Sequence, residues 1–492
     1  MITQRFFFLP LFPRSVRWVA LVALLMIAPG CCYYAVKPLP AGLSYRSEPL
    51  PATDVRFLSD QTSLDAAGVR VIDQHLFDEV FAMIANAEHV AVVDMFLFND
   101  FLGAGPAPHR RLCEELTAAL IARKRAVPGL HAVLITDPVN SVYGGMESGH
   151  LKRLQEAGVE VVVTRLSRLR DSNTTWSSVW RLCFWPWGND AEGGWVASPF
   201  GEGEVTLRSW FALLNFKANH RKVVIADAGG KLSALVTSAN PHDGSSAHSN
   251  VGLVFSGPAA QVVLETEQAV LAFSGGRAIS TNNVPVAAAP SDAVSVRDVR
   301  VQVVTEEKIA DAAEALINGA GKGDALDLVM FYLADRSIVR ALKAAAGRGA
   351  AMRVILDPNK DAFGREKNGM PNRQVARELV ATGVPVRWAV THGEQMHAKM
   401  LFVKRRDGTA DLLLGSANFT RRNVRDYNLE TDVRVSGQAE APALVDAAAY
   451  ADRLWTNADG RVFTTDYAVF RDDSRWRVFR YRVQEATGLC TW

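Results

Sequence analysis

The chain repeats itself, and the repeat constrains what it can fold into. In the first half NHRKVVIAD is followed by TSANPHDGSSAHSN, and in the second half MHAKMLFVK is followed by GSANFTRRNVRDYN. Each segment opens an apolar strand with a His and a Lys two positions apart, His220/Lys222 and His397/Lys399. Strand side chains at i and i+2 point to one face, so each His projects with its Lys. A Gly-containing turn, AGGK or RRDG, leads into a second apolar strand ending in Ser-Ala-Asn, which gives Ser238/Asn240 and Ser416/Asn418. The hairpin brings these termini back beside the His-Lys pair. Two copies supply two imidazoles, two ammonium groups, two amides and two hydroxyls, a set suited to a phosphate ester. A third His-x-Lys, His150/Lys152 in SGHLKRLQEAG, lacks a following Ser-x-Asn. Its apolar spacing predicts a solvated helix face.

The duplication extends beyond the hairpins. VFAMIANAEHVAVVDMFLFND parallels AAEALINGAGKGDALDLVMFYLAD, each a helical pattern running into an apolar strand. LTAALIARKRAVPGLHAVLITDP parallels IVRALKAAAGRGAAMRVILDP, ending at Asp137-Pro138 and Asp357-Pro358, and LKRLQEAGVEVVV parallels VARELVATGVPVRW. Helices alternating with strands imply βαβ units. The fold class is therefore α/β, with two similar lobes, each a mixed, mostly parallel sheet flanked by helices, and the site between them. The composition, 49% apolar over 492 residues, can fill two cores. We expect a first lobe over 71–275 and a second over 296–451, joined by the small, polar linker 276–295. Residues 31–70 are expected as an N-terminal linker and 452–492 as a C-terminal extension packed over the second lobe.

The paired motifs resemble the phospholipase D superfamily, whose signature is H-x-K-x4-D followed by G-S-x-N. The first copy fits through His220, Lys222 and Asp227, with Thr237 where the family prefers Gly. The second has Gly415 and Ser416 but carries Lys404 at the Asp position, with Asp411 across the turn as the nearby candidate to compensate. The resemblance covers most of the chain after about residue 70. It implies a phosphodiesterase of phospholipase D type that cleaves glycerophospholipids, or transfers their phosphatidyl group, through a phosphohistidine. It assigns the nucleophile to His220 and the acid to His397, with Lys222, Lys399, Asn240 and Asn418 on the nonbridging oxygens. Ser238 and Ser416 are supporting partners. A carboxylate on the second ring nitrogen would favour a nucleophilic imidazole. Glu430, 12 positions after Asn418, stands where the family places one; the matching position after Asn240 is Gly252, and Asp243 is the substitute at hand. The roles of the two histidines stay open on this reading. So does a cardiolipin synthase-like phosphatidyltransferase, an exported nuclease of the same superfamily, or a non-catalytic lipid-binding envelope lipoprotein.

The remaining features concern location and partners. A net charge of +2 gives no strong basic field of the kind that grips long nucleic acid, so nucleic acid is disfavoured as a partner without being excluded. Arg5, Arg14 and Arg17 precede the apolar WVALVALLMIA and then Ala-Pro-Gly-Cys-Cys. This resembles a lipoprotein signal peptide over 1–30 with Cys31 as the lipid attachment, although Ala28 stands where Leu is usual. Cys32 at the following position lacks the Asp signal for inner-membrane retention, which favours the outer membrane of a bacterial envelope. An uncleaved inner-membrane anchor is the alternative. The cysteines show no metal or disulfide-scaffold spacing, leaving room for one incidental disulfide, and no metal or cofactor is called for. Residues 176–210 hold six of the eleven Trp, and read either as a packed insertion or as a lipid-facing lid ahead of His220. Both motifs lie in one chain, so a monomer suffices.

Overall fold

The computed structural model describes Trp18, Ala28 and residues 30–103, 108–280, 299–362 and 365–492. Nearly all of the expected signal peptide and most of the expected linker 276–295 lie outside the described residues. Strands form where apolar side chains occur at both parities, because the sheet is covered on both faces. In chain order they are β1 (Leu50–Leu64), β2 (Arg70–Asp73), β3 (Val90–Met95), β4 (His131–Thr136), β5 (Glu160–Val163), β6 (Val196–Ala197), β7 (Glu204–Val205), β8 (Lys222–Ala228), β9 (Lys231–Thr237) and β10 (Asn250–Ser256) in the first part. The second part carries β11 (Val299–Thr305), β12 (Ala325–Met330), β13 (Ala351–Leu356), β14 (Asp361–Ala362), β15 (Arg365–Glu366), β16 (Val386–Ala389), β17 (Lys399–Lys404), β18 (Thr409–Gly415), β19 (Thr431–Gln438) and β20 (Thr464–Asp466).

One sheet runs through both lobes in the order β20-β16-β13-β12-β17-β18-β19-β11-β1-β10-β9-β8-β3-β4-β5, with β2 paired to β1. Among the named strands, parallel pairing is confined to the βαβ part of each lobe, β3-β4-β5 and β12-β13-β16. The His-Lys hairpins β8-β9 and β17-β18 run antiparallel, as a tight turn requires. Alternation decides which core each residue joins. Val223 and Ile225 share a cluster with Met400 and Phe402, under the helices Pro258–Ser274 and Pro442–Thr456, and that cluster spans both lobes. Val224 and Ala226 face the first lobe's helices on the other side, and Leu401 and Val403 face those of the second.

The segment 31–70 is not a linker throughout. β1 lies at the centre of the sheet, paired to β10 on one side and β11 on the other, and so joins the two lobes. Its sequence LPATDVRFLSDQTSL is largely polar, and its place is fixed by backbone partners and by Asp60, whose Oδ1 accepts from the amides of His75 and Leu76. β20 extends the second lobe's sheet from within 452–492. Of the aromatics in this stretch, Tyr481 is buried, whereas Trp476 and Phe479 are exposed. The five cysteines are unpaired. Among the described residues no helix is long and apolar enough to cross a membrane.

Candidate active site

His220 and His397 each stand two residues ahead of a strand, and each is held by the opposite lobe. His220 N donates to Leu429 O at 2.9 Å, while His397 N donates to Ser249 O at 2.8 Å. The Asp-Pro ends of β4 and β13 fix the residue before each histidine. Asp137 Oδ2 accepts from Asn219 N at 2.7 Å and Asp357 Oδ2 from Met396 N at 2.9 Å. The lysines mirror one another: Lys222 Nζ donates to His220 O at 2.5 Å and Lys399 Nζ to His397 O at 2.6 Å. Phe96 lies 4.8 Å from the His220 ring and Phe331 lies 5.0 Å from that of His397, between centroids.

The partners on Nδ1 break this symmetry. His220 Nδ1 donates to Glu430, at 2.8 Å to Oε1 and 3.0 Å to Oε2. His397 Nδ1 instead donates to the amide oxygen of Asn250 at 3.1 Å. Counting from Ser-x-Asn misplaces this residue because the return loops differ in length: Ser238 donates to Asn250 across 12 positions, and Ser416 donates to Glu430 across 14. Gly252 sits further along β10 against Leu76 and Thr237, where a Cβ would clash. Asp243 accepts from Cys113 N at 3.0 Å and so holds the helix Leu112–Ala126. The amide of Asn250 is oriented by its own Nδ2, which donates to His248 O.

Burial governs the charges. Desolvation, then Lys222 and Lys399, hold His220 well below the usual histidine range. His397 is lowered likewise by burial, then by Lys399. Burial brings Lys222 down to about 7, and burial, then the Lys222 ammonium, take Lys399 well below its ordinary value. Burial also lifts Glu430 to about 7 and Asp432 to about 8. An anion between the two lysines would favour every cationic form at once. Asn240 Oδ1 accepts from Leu97 N, and Asn418 Oδ1 has no partner among the described residues. Beneath the site, Arg221 is fully buried between Glu267 (3.1 Å) and Glu306 (2.8 Å), an ion-paired link from one lobe to the other.

Asp227, expected as a supporting residue, and Asp411, the candidate to compensate for Lys404, have partners of their own away from the histidines. Asp227 is at the far end of β8, where it accepts from the amides of Glu88, His89 and Val90 and from His89 Nδ1 at 2.6 Å. Its strand direction explains this: five positions beyond Lys222 carry it away from the histidines at about 3.3 Å per residue. Glu88, His89 and Asp227 cluster closely enough to suggest a cation, but those same amides already occupy the Asp227 carboxylate. Asp411 does not take over the corresponding place in the second lobe, since it pairs with Arg434 at 2.8 Å. His150 and Lys152 lie on the helix Gly149–Glu156, as their spacing predicts. Cys31 lies against the helix Thr174–Cys183, with Sγ donating to Ser178 Oγ at 3.4 Å. The residues that sequence reasoning missed are Asn250, Phe96, Phe331 and the backbone-holding role of Asp137 and Asp357. Matched positions in the duplication, DMF against VMF and DP against DP, carry the signal for the last four.

Two cavities lie among the loops and the insertion of the first lobe. One of about 210 Å³ is lined by Leu97, Val139, Phe200, His242, Ala362 and Arg365, so the loops following β4 and β13 meet beside Asn240. A larger one, about 440 Å³, lies under the Trp-rich insertion between Tyr143, Leu166, Trp180 and Trp185, with Arg208 and Lys217 on its wall. Within the insertion Trp176, Phe184 and Phe211 pack together, whereas Trp185, Trp187 and Trp195 are exposed.

The family described as "Cardiolipin synthase, PLD-like domain" matches residues 313–455, within the second lobe and its last helix. The fold matches the crystal structure of phosphatidylserine synthase from Haemophilus influenzae over 89% of this chain and 96% of that one, with TM-score 0.54 at 10% identity. Residues 313–455 thus match a phospholipase D-like domain, and the chain as a whole shares the fold of that phosphatidylserine synthase. Nuc from Salmonella typhimurium, a phospholipase D family member, aligns over 35% of this chain and 99% of its own at 20% identity and TM-score 0.27. No curated protein matches the chain. Phospholipase D-like proteins are generally phosphodiesterases or phosphatidyltransferases, and the two-lobed sheet with helices on its faces is the fold shared with the phosphatidylserine synthase.

Proposed function

We propose that this protein cleaves a phospholipid phosphodiester, passing the phosphatidyl group through a phosphohistidine on His220 to water or to an alcohol. The observation that carries this reading is the pair of histidines held across the lobes by Nδ1, one by Glu430 and one by Asn250. When ionised, the Glu430 carboxylate can only accept, so that form fixes the proton on His220 Nδ1 and leaves Nε2 as the nucleophile. Nε2 attacks phosphorus, the P–O bond to the leaving alcohol breaks, and His397 Nε2 gives that oxygen a proton. His397 then takes a proton from water or an acceptor alcohol, whose oxygen attacks phosphorus as the P–N bond breaks. Glu430 favours the cationic ring formed on His220 in between. Lys222, Lys399, Asn240 and Asn418 stabilise the nonbridging oxygens.

The aromatic cavity supports a lipid over a nucleic acid, because its Trp, Tyr and Leu walls suit an acyl chain while Arg208 suits an anionic group, Lys217 being paired already with Asp171 at 2.5 Å. Attachment through Cys31 at a bacterial envelope, with the chain acting as a monomer, belongs to the same proposal. Purified protein incubated with labelled phosphatidylglycerol, phosphatidylethanolamine and DNA, without added metal, is expected to turn over lipid. Phosphatidic acid marks hydrolysis, and cardiolipin formed from phosphatidylglycerol marks transfer. His220→Ala and His397→Ala should each remove turnover while the fold is kept. Turnover of DNA alone would refute the lipid reading, and undiminished turnover in both variants would place the site elsewhere.

A further inference from the structure

The helix Arg475–Thr487 turns one face into the protein and leaves another with no cover among the described residues. Tyr481 and Glu485 are buried: Tyr481 Oη donates to Ala334 O at 2.9 Å, and Glu485 accepts from Arg421 N at 2.8 Å. Trp476, Phe479 and Val483, spaced to share the opposite face, are 69%, 57% and 42% exposed. The two rings stack on each other at 5.4 Å rather than on the core. This outer stripe has basic borders. The helix carries Arg475, Arg477, Arg480 and Arg482 against one acidic residue, Glu485. Arg475 and Arg480 pair with no carboxylate among the described residues. On one side the stripe adjoins a cavity of about 570 Å³ lined by Arg336, Arg340, Arg421, Arg425 and Arg482.

We propose that this helix is a membrane-docking element that lays Trp476, Phe479 and Val483 into the interface of an anionic lipid bilayer, with the flanking arginines on its headgroups. Aromatic side chains favour that interface, and an apolar stripe with cationic borders binds where anionic lipid compensates the charge. A second copy of the chain fits less well. A twofold contact sets a face against itself, and here that would bring arginines from both copies together.

The helix is also joined to the site. Gly488, at φ +74°, lies so close to Ser172 that a Cβ would come within 1.9 Å of the carbonyl oxygen. Ser172 Oγ donates to the carbonyls of Asn215 and Phe216, in the loop leading to His220. Arg422 donates to Gly488 O at 3.0 Å and lies over the Phe216 ring at 4.9 Å. Docking would thus set the helix end, the start of the Trp-rich insertion and the approach to His220 at one level. The inference goes beyond the proposed reaction, since binding is read without turnover.

A photo-crosslinking side chain tests it on the full chain. Phe479→p-benzoylphenylalanine is compared with Val69→p-benzoylphenylalanine, another exposed position, on vesicles of phosphatidylcholine with and without phosphatidylglycerol. We expect lipid adducts at 479 at least tenfold above those at 69 on the anionic vesicles. Adding Arg475→Gln and Arg480→Gln should cut that yield severalfold, with the melting temperature unchanged. Lipid adducts no more frequent at 479 than at 69 would overturn the proposal. So would crosslinking at 479 chiefly to a second copy of the chain.

Discussion

Replacing Asn250 by Asp places a carboxylate on His397 where His220 already has one. The side chains are nearly isosteric, and the accepting oxygen lies 3.1 Å from His397 Nδ1, with Ser238 Oγ donating to it as well. A carboxylate at that distance raises an imidazole pKa by about 1–3 units, about 1.4 kcal/mol per unit. Burial works against it, because the same environment lifts Glu430 to about 7 and would keep the new acid partly protonated. The lower end, about one unit, is therefore expected. The sign follows from the proposed role. His397 must be protonated to serve the leaving oxygen, so activity falls as pH rises through its pKa, which burial and Lys399 hold low. Asn250→Asp should carry the basic limb of kcat/KM upward by about one pH unit. A short-chain soluble phosphodiester isolates the chemistry, and Asn250→Ser should leave the limb near its original place. A folded Asn250→Asp variant with an unmoved basic limb would refute the acid assignment to His397.

Other perturbations separate architecture from chemistry. Arg221→Met leaves Glu267 and Glu306 buried without their partner, and should cost about 3–5 kcal/mol in denaturant unfolding; a loss below about 1 kcal/mol would argue against a clamp between the lobes. Asp227→Asn weakens the cap on the start of β3 and should cost about 1–3 kcal/mol while kcat/KM of the folded protein is kept. The Asp227 pKa is lowered, its backbone hydrogen bonds outweighing desolvation, so its contribution is present above the unfolded aspartate pKa and lost as pH falls through the folded one. In Asp227→Asn that part of the acid sensitivity should be absent. Replacing Trp185 and Trp187 by Ser should reduce turnover of vesicles far more than that of the soluble substrate; equal losses with a lowered melting temperature would mark a structural insertion.

Much of the site was legible because its parts are local. The i, i+2 spacing of His220/Lys222 and His397/Lys399, the turns after them and the returning Ser-Ala-Asn all lie within single hairpins, where periodicity alone sets direction. Asp227 was misplaced because a motif records neighbours in sequence, and along a strand those neighbours lie at opposite ends of it. β1 was missed because its position depends on backbone pairing with β10 and β11, which a polar stretch does not advertise.

By itself the sequence determined two βαβ lobes and two hairpins, each carrying a His, a Lys, a Ser and an Asn. Only the tertiary structure decided which group each imidazole meets. Glu430 crosses to His220 and Asn250 to His397, contacts made 210 and 147 positions apart along the chain. Their pairing depends on the length of each return loop and on β1 holding the lobes in register. A difference of two residues between those loops changes the identity of the partner, and no local pattern carries that information.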